Sequence, residues 1–459
     1  MAITPAEIET LEMLYKRLQG RWASDEVYYQ YVMLKRRIEQ LGMAVPPEMR
    51  RFLVMLGWPN VVIDTITSRQ QVRALTLPGE ERADELQLRI WEANNLSAHT
   101  DMFRRDALTY GRAFMSVGSN EAGPLPLVRV ESPREIEADV DIRRESMRAA
   151  ARFYGWRTEA GGLAGRPTHA TLYMPTYTKW LARDDNGRWV ESDVDHHELG
   201  SVPLVMHLNR RWSGMFDGES ELTSIIPLTD SAVRSLTNMQ FAQEAHGVPS
   251  IWATGVTRGD FVDDKGAPLS QFEAYYDVVK MLTNADGKFG QFAAADLKNF
   301  ETALRVYGTQ ASIATGFPAR YFGNTTTNPA SEGAVIADEI QLVRSVEKKN
   351  DAEGVSLGWV AGLAHRFATG EWVEGNRIRV EYHNPATPTV AQREDALYKR
   401  RAAGVLSREG YWDELGWSEA RKAKEREYLA AEAAEGDAYL AMLAAKSASA
   451  ASAVESVEV

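Results

Sequence analysis

The chain of 459 residues contains no cysteine. Disulfides, a thiolate nucleophile and cysteine-ligated metal sites are excluded at once. Long apolar runs are also missing: no stretch approaches the roughly 18 residues of a membrane helix, and the opening MAITPAEIETLEML has neither the basic nor the apolar block of a signal peptide. The expectation is a protein of a cytoplasm or a particle with no membrane partner. Positive charge is in deficit, with 52 Lys plus Arg against 64 Asp plus Glu and a net charge of −12. That balance argues against a surface that grips phosphate backbones tightly. It does not separate a conduit, whose acidic wall lets a polyanion slide, from an ordinary acidic enzyme. Enzyme signatures are absent as well: there is no GxxxxGK(S/T) phosphate loop, no GxGxxG after a strand, no GxSxG and no HExxH.

What is present is a folded chain, 44% hydrophobic and long enough for two or three packed units. To about Gly118 it reads as helices. Thr4-Pro5-Ala6-Glu7 supplies a cap, a proline at the first helical position and a capping-box glutamate. Apolar spacing of three and four predicts further helices over Asp25–Leu41, Pro47–Leu56, Asn60–Val72, Glu80–Ala93 and Ala98–Tyr110. From Arg112 to about Asn209 the period alternates, predicting strands at Ala113–Val117, Leu127–Glu131, Ala149–Arg157, Ala170–Tyr177 and Val202–Leu208. The Asn186-Gly187 pair signals a hairpin between Thr176–Ala182 and Arg188–Val190. The fold class is therefore α+β.

Three helices follow, near Ser220–Ala245 with Pro227 close to its start, Ala294–Thr315, and from Ser331 to His365 or beyond. An irregular block, Gly247–Phe292, separates the first two. Between the second and third lies Gly316-Phe317-Pro318 and then Phe322 to Gly333, whose Thr run and Asn-Pro pair make a loop that cannot bury itself. A strand pair is expected within Trp372–Tyr382, then helices over Thr389–Arg401, Ser407–Leu415 and Ser418–Leu443, and a small-residue tail from Lys446 to Val459 that is expected to be disordered.

Asp193, Asp195, His196 and His197 are the best metal candidates. On a strand edge adjacent histidines point to opposite faces, which favours a solvated hairpin. Arg258-Gly259-Asp260 is a tripeptide expected by chance. Trp156, Trp180, Trp189 and Trp212 lack interleaved basic residues and read as core or interface residues. Arg210-Arg211 beside Trp212 is the exception that could stack on bases, with structural pairing the favoured reading.

His197 to Val205, Asn209-Arg210-Arg211, Gly218 to Leu222 and Leu228 to Asn238 together resemble the tailed-phage portal family, in particular its siphophage branch and relatives in phages of actinobacteria. The likeness continues through Ala314 to Pro318, Tyr321-Phe322-Gly323, Asn328 to Ser331, the helix with Glu339 and Lys348-Lys349, and Gly404 to Ser407, so it covers nearly the whole chain. The resemblance implies a structural, non-enzymatic protein without cofactor or bound metal, assembled as a dodecameric ring for DNA packaging and ejection. Its division would be 1–217 wing, 218–246 first stem helix, 247–292 clip, 293–316 second stem helix, 317–333 tunnel-loop region, 334–388 long wing helix and strands, 389–445 crown and 446–459 tail. Asn324, Thr325, Thr326, Thr327, Asn328, Pro329 and Ser331 would line the channel, and Asp260, Asp263, Asp264 and Lys265 would form a clip docking surface. Implied partners are further copies of the chain, the terminase large subunit, head-completion adaptor and tail proteins, the major capsid and scaffolding proteins, and double-stranded DNA passing without sequence specificity. The implied location is the portal vertex of the virion, and the host cytoplasm during assembly. Two rival readings are a metal-dependent enzyme using Asp193, Asp195, His196 and His197, and another structural ring such as a head-to-tail adaptor, a class of usually shorter chains.

Overall fold

The computed structural model describes residues 3–35, 54–155, 166–247, 251–254, 288–291, 297–324, 332–386 and 390–435. It divides into two compact units, Met1–Pro385 and Ala386–Val459. The first helix, α1 (Pro5–Val32), starts on the expected capping box: Glu7 N donates to Thr4 Oγ1 at 3.3 Å and Thr4 N to Glu7 Oε2 at 2.7 Å. It runs through Asp25 without the break expected there. Asp25 resembles a cap in sequence, but its carboxylate is buried against Arg112 at 2.7 Å.

Helix α2 (Trp58–Thr67) ends five residues before the expected boundary, and β1 (Val72–Thr76) follows it. β1 pairs antiparallel with β12 (Arg379–Tyr382), so the strand pair expected within Trp372–Tyr382 is one strand whose partner lies far back in the chain. The other half of that expected pair holds a single 3-10 turn, Gly375–Arg377. Helix α3 (Glu85–Ala93) begins later than expected, at Asp84, whose side chain accepts from Gln87 N at 2.7 Å; α4 spans Leu96–Tyr110.

Two antiparallel sheets follow. One joins β3 (Leu127–Glu131), β2 (Arg112–Gly118) and β9 (Leu204–Leu208) in that order. The other is a meander of β4 (Ile136–Asp141), β5 (Ser146–Tyr154), β6 (His169–Tyr173), β7 (Thr178–Arg183) and β8 (Trp189–Asp195). The β7–β8 turn is the expected Asn-Gly hairpin, with Gly187 at φ +76°. α1 lays Leu11, Leu14 and Leu18 on the meander against Ala151, Phe153, Ala170, Leu172 and Leu181.

The first unit is completed by α5 (Leu222–Gly247), the antiparallel pair β10 (Ile251–Thr254) and β11 (Lys288–Gln291), α6 (Lys298–Thr315) and the 38-residue α7 (Glu332–Thr369). On α7, Gly358 and Gly362 permit a backbone crossing. An added Cβ would stand 2.4 Å from Gly375 O at the first and 2.5 Å from Val373 O at the second. The second unit holds α8 (Val390–Ala402), α9 (Arg408–Glu414) capped by Ser407, and a helical stretch over 419–435. Among the described residues no helix is long and apolar enough to cross a membrane. The tail from Lys446 lies outside them, as does most of Pro47–Leu56.

Candidate functional site

α5 packs along α6, and the pair is seated on a shared core. Leu222, Ile225 and Ala232 of α5 and Ala311 of α6 meet Leu342 and Val346 of α7, with Val62, Ile63 and Ile66 of α2 below them. α5 carries Pro227 inside the helix, as the sequence warned. A proline there leaves the Thr223 carbonyl without its helical donor. In the same stretch Ser231 Oγ donates to Pro227 O and Thr229 Oγ1 to Ile225 O, each at 2.9 Å.

The chain leaving α6 is folded back onto it. Gly316, at φ +73°, ends the helix; Ser312 Oγ donates to Phe317 O at 2.6 Å, and Ala319–Phe322 make one 3-10 turn. Phe322 is buried edge-on to Trp58, with ring centroids 5.6 Å apart. Gly323 at φ +87° then turns the chain so that the Asn324 amide donates to Arg305 O at 2.9 Å and Thr309 Oγ1 at 3.0 Å. Gly308 makes room for this return: a Cβ there would lie 3.0 Å from Phe322 O.

A second set of contacts ties the same segment to α7. Glu339, 8% exposed, accepts from both Arg320 and Arg69, the latter at 3.2 Å, and from the Tyr321 hydroxyl at 3.2 Å. Arg69 also donates to Tyr321 Oη at 3.0 Å, and Arg320 reaches Asp338 at 2.6 Å. A buried carboxylate facing two guanidiniums is a charge-assisted clamp. Asn324 is thus held on α6, and the first turns of α7 are held through Glu339. Of the expected channel residues only Asn324 is described, and its amide serves as an anchor. Thr325, Thr326, Thr327, Asn328, Pro329 and Ser331 lie outside the described residues, as do Asp260, Asp263, Asp264 and Lys265.

Further up α7, segments that carried the family resemblance come together. Lys349 Nζ donates to Asn209 Oδ1 at 2.9 Å and to Glu221, which also holds Arg210 at 3.0 Å. Burial pushes the Lys349 ammonium down, against the pull of Glu221. Next along the helix, Glu353 pairs with Arg104 at 2.8 Å and accepts from Gln70 at 2.9 Å. Burial pushes the Glu353 carboxyl up to about 7, although Arg104 opposes it. His207, bonded to Ser356 at 3.0 Å, is pushed down to about 4 by burial with Lys349 adding to it. The sequence gives no local sign of these pairs, because the partners stand far apart in the chain.

The metal candidates are not gathered. Asp195 accepts from Ser119, Asp193 from the Val194 amide, His197 lies 3.4 Å from Thr178 Oγ1 and His196 faces the Tyr177 ring. Among the described residues no group of three or more His, Asp or Glu could hold a metal ion. Trp189 packs beside the α1 core with Arg183 over its ring, Trp180 sits on β7, and Trp212 is exposed. Arg210 and Arg211 are structurally paired, to Glu221 and Glu145. Trp156 and Arg258-Gly259-Asp260 lie outside the described residues.

Over residues 2–438 the chain matches the family model described as phage portal protein, SPP1 Gp6-like. It is 33% identical over 422 residues to the portal protein of Mycobacterium phage D29, covering 88% of this chain and 85% of that protein. To the portal protein of Mycobacterium phage L5 it is 32% identical over 426 residues, covering 90% and 86%. Among solved structures, the neck of a native gene transfer agent particle computed with C12 symmetry aligns at TM-score 0.43 and 14% identity, over 85% of this chain and 99% of that one. The virion of the native gene transfer agent particle aligns at TM-score 0.45 and 13% identity, again over 85% and 99%.

Proposed function

The chain belongs to the SPP1 Gp6-like family of phage portal proteins, and from that premise we propose that it forms a dodecameric ring at one capsid vertex, through which double-stranded DNA enters and leaves. The division into wing, stem, clip, tunnel loop and crown follows the boundaries given above. In this reading α5 and α6 are the stem, 247–292 is the clip where terminase and later head-completion proteins dock, and 389–445 is the crown. Assembly would take place in the host cytoplasm beside scaffolding and major capsid proteins, and the product would remain in the virion.

The observation that supports the reading is the pair of held flanks, Asn324 bonded to α6 and Glu339 of α7 clamped by Arg69 and Arg320. In a closed ring the tunnel loop recurs at every subunit, so a weak contact is multiplied without any one subunit gripping DNA. No Lys or Arg occurs from Asn324 to Glu332, so contact with DNA would be through hydroxyls, amides and sterics rather than ion pairs. The role is passive, with force supplied by a partner motor, and no phosphate-loop motif occurs in the sequence.

Electron microscopy of the purified protein tests the ring. Class averages with a central channel and about twelve-fold symmetry are expected, and uniform monomers or dimers at high concentration would overturn the reading. A cysteine at Thr326, unique in this cysteine-free chain, is expected to crosslink to DNA or to a neighbouring subunit. Crosslinks to the capsid surface alone would remove the loop from the channel.

A further inference from the structure

Two groups singled out in the sequence have no part in the channel reading, and the fold sets them at opposite edges of one sheet. Asp193, Asp195, His196 and His197 belong to the β8 side, and Arg210-Arg211-Trp212 is joined to the β4 side. β4 and β8 are the two edge strands of the five-stranded meander. An edge strand presents unpaired backbone groups and needs covering or charging.

The two edges differ in charge. Asp184 to Glu198 contains six carboxylates and one arginine. Glu191 is held by Lys179 and Asp195 by Ser119, whereas Asp185, Asp193 and Glu198 are exposed, with Val190 49% exposed among them. At the other edge the β4–β5 turn exposes Ile142 at 68%, followed by Arg143 and Arg144. Both arginines are exposed, and neither forms a salt bridge with a described residue.

Arg211 ties the loop 210–217 to this turn through Glu145 at 3.0 Å. Its guanidinium also stacks on Phe216 at 4.0 Å, and its Nε donates to Met215 O at 3.1 Å. Arg210 is held by Glu221. With both arginines occupied in fixing the loop, what it shows to solvent is Trp212, 68% exposed, and Met215, 56% exposed. Trp and Met are enriched at the cores of interfaces, and a pinned loop loses little freedom on docking.

We propose that these edges are the two halves of one head-to-tail contact: the Ile142, Trp212 and Met215 surface of one copy docks on the β8 edge of the next. The proposal rests on the ring reading above. Arg143 and Arg144 meet the exposed carboxylates of the neighbour, and each copy uses each edge once, as a heterologous contact that closes into a ring requires. Pairing of like edges is disfavoured, since β8 against β8 would set carboxylate against carboxylate.

The test uses full-length Arg143→Cys and Asp193→Cys variants, mixed before assembly and mildly oxidised. Disulfide-linked pairs are expected from the mixture and not from either variant alone. Trp212→Ala, and separately the double variant Arg143→Asp with Arg144→Asp, are expected to raise the concentration for half-assembly, read by sedimentation, at least about tenfold. Adding Asp185→Arg and Asp193→Arg to the double variant restores assembly. Rings that form at the wild-type concentration in all these variants, with no crosslink in the mixture, overturn the contact and leave the ring standing; the Trp212 surface then belongs to another protein. Crosslinking within a single variant overturns the head-to-tail arrangement. A wild-type chain that forms no rings removes both readings.

Discussion

Gly358 and Gly20 both sit inside helices, yet alanine should act on them in opposite directions. At Gly20 nothing lies within 4 Å of an added Cβ, so Gly20→Ala gains helix propensity and raises stability by up to about 1 kcal/mol. At Gly358 the same Cβ would stand 2.4 Å from Gly375 O and 3.3 Å from Ile378 O. That overlap outweighs the propensity gain, and Gly358→Ala is expected to cost about 1–3 kcal/mol in denaturant unfolding. A stabilising Gly358→Ala would mean that α7 is free to move off the 373–378 segment. Two carboxylates give a second residue-scale prediction. Burial alone would raise Glu7, but bonds from Lys179, Thr4 and Tyr177 hold it down to about 2. Its contribution is present above its ordinary value of 4.5 and lost as pH falls through about 2. Glu353, raised by burial to about 7, contributes stability that is full below 4.5 and lost as pH rises through about 7. Comparing melting against pH, Glu7→Gln should flatten the acid limb between 2 and 4.5, and Glu353→Gln the window between 4.5 and 7.

At the scale of elements, the clamp on Glu339 decides how firmly residues 316–324 and the start of α7 hold together. Glu339→Gln leaves Arg69 and Arg320 facing a neutral group, and breaking a buried pair of this kind costs about 3–5 kcal/mol. Hydrogen exchange should show the loss first in amides 316–324 and 332–340 while the meander stays protected. Equal loosening everywhere would mean the clamp acts on global stability alone. The clamp also marks where the sequence stops being informative. Thr4 and Glu7, Ser407 and Asn186-Gly187 act on neighbours within four residues, and each produced the cap or turn its chemistry implies; Asp84 caps α3 in the same local way, although the helix was expected from Glu80. α6 and α7 were legible from their apolar spacing, and α5 with them, Pro227 included. β1 was not, because its pairing with β12 crosses most of the chain. β4 was missed because Ile136-Glu-Ala-Asp-Val-Asp is acidic enough to read as a turn, its charges being absorbed by Arg17, Arg21 and Arg148. Asp25 was misread as a helix start because a lone aspartate looks the same whether it caps a helix or neutralises a distant arginine. At the candidate site the loop was visible as composition, whereas Arg69, Arg320, Tyr321 and Glu339 assemble only through tertiary contact.

At the scale of the whole molecule, the proposed subunit contact and the proposed channel loop are expected to respond differently to salt. A contact between Arg143, Arg144 and exposed carboxylates is partly screened by salt, with a Debye length of about 10 Å at 0.1 M. Ring formation should therefore weaken as salt rises from 0.05 to about 0.5 M, and Trp212→Ala should weaken it at every salt concentration. A loop without Lys or Arg predicts the reverse indifference: once rings exist, replacing Thr326 with alanine should leave the salt dependence of DNA retention unchanged. α7 is the longest described helix. Its 38 residues span about 57 Å at 1.5 Å per residue, with the Glu339 clamp near one end and the glycine crossing toward the other. At that crossing backbone lies on backbone, with no side chain between to deform. The helix therefore has no slack there: a shift of α7 at Gly358 and Gly362 would have to carry the 373–378 segment with it, beside β12 and β1.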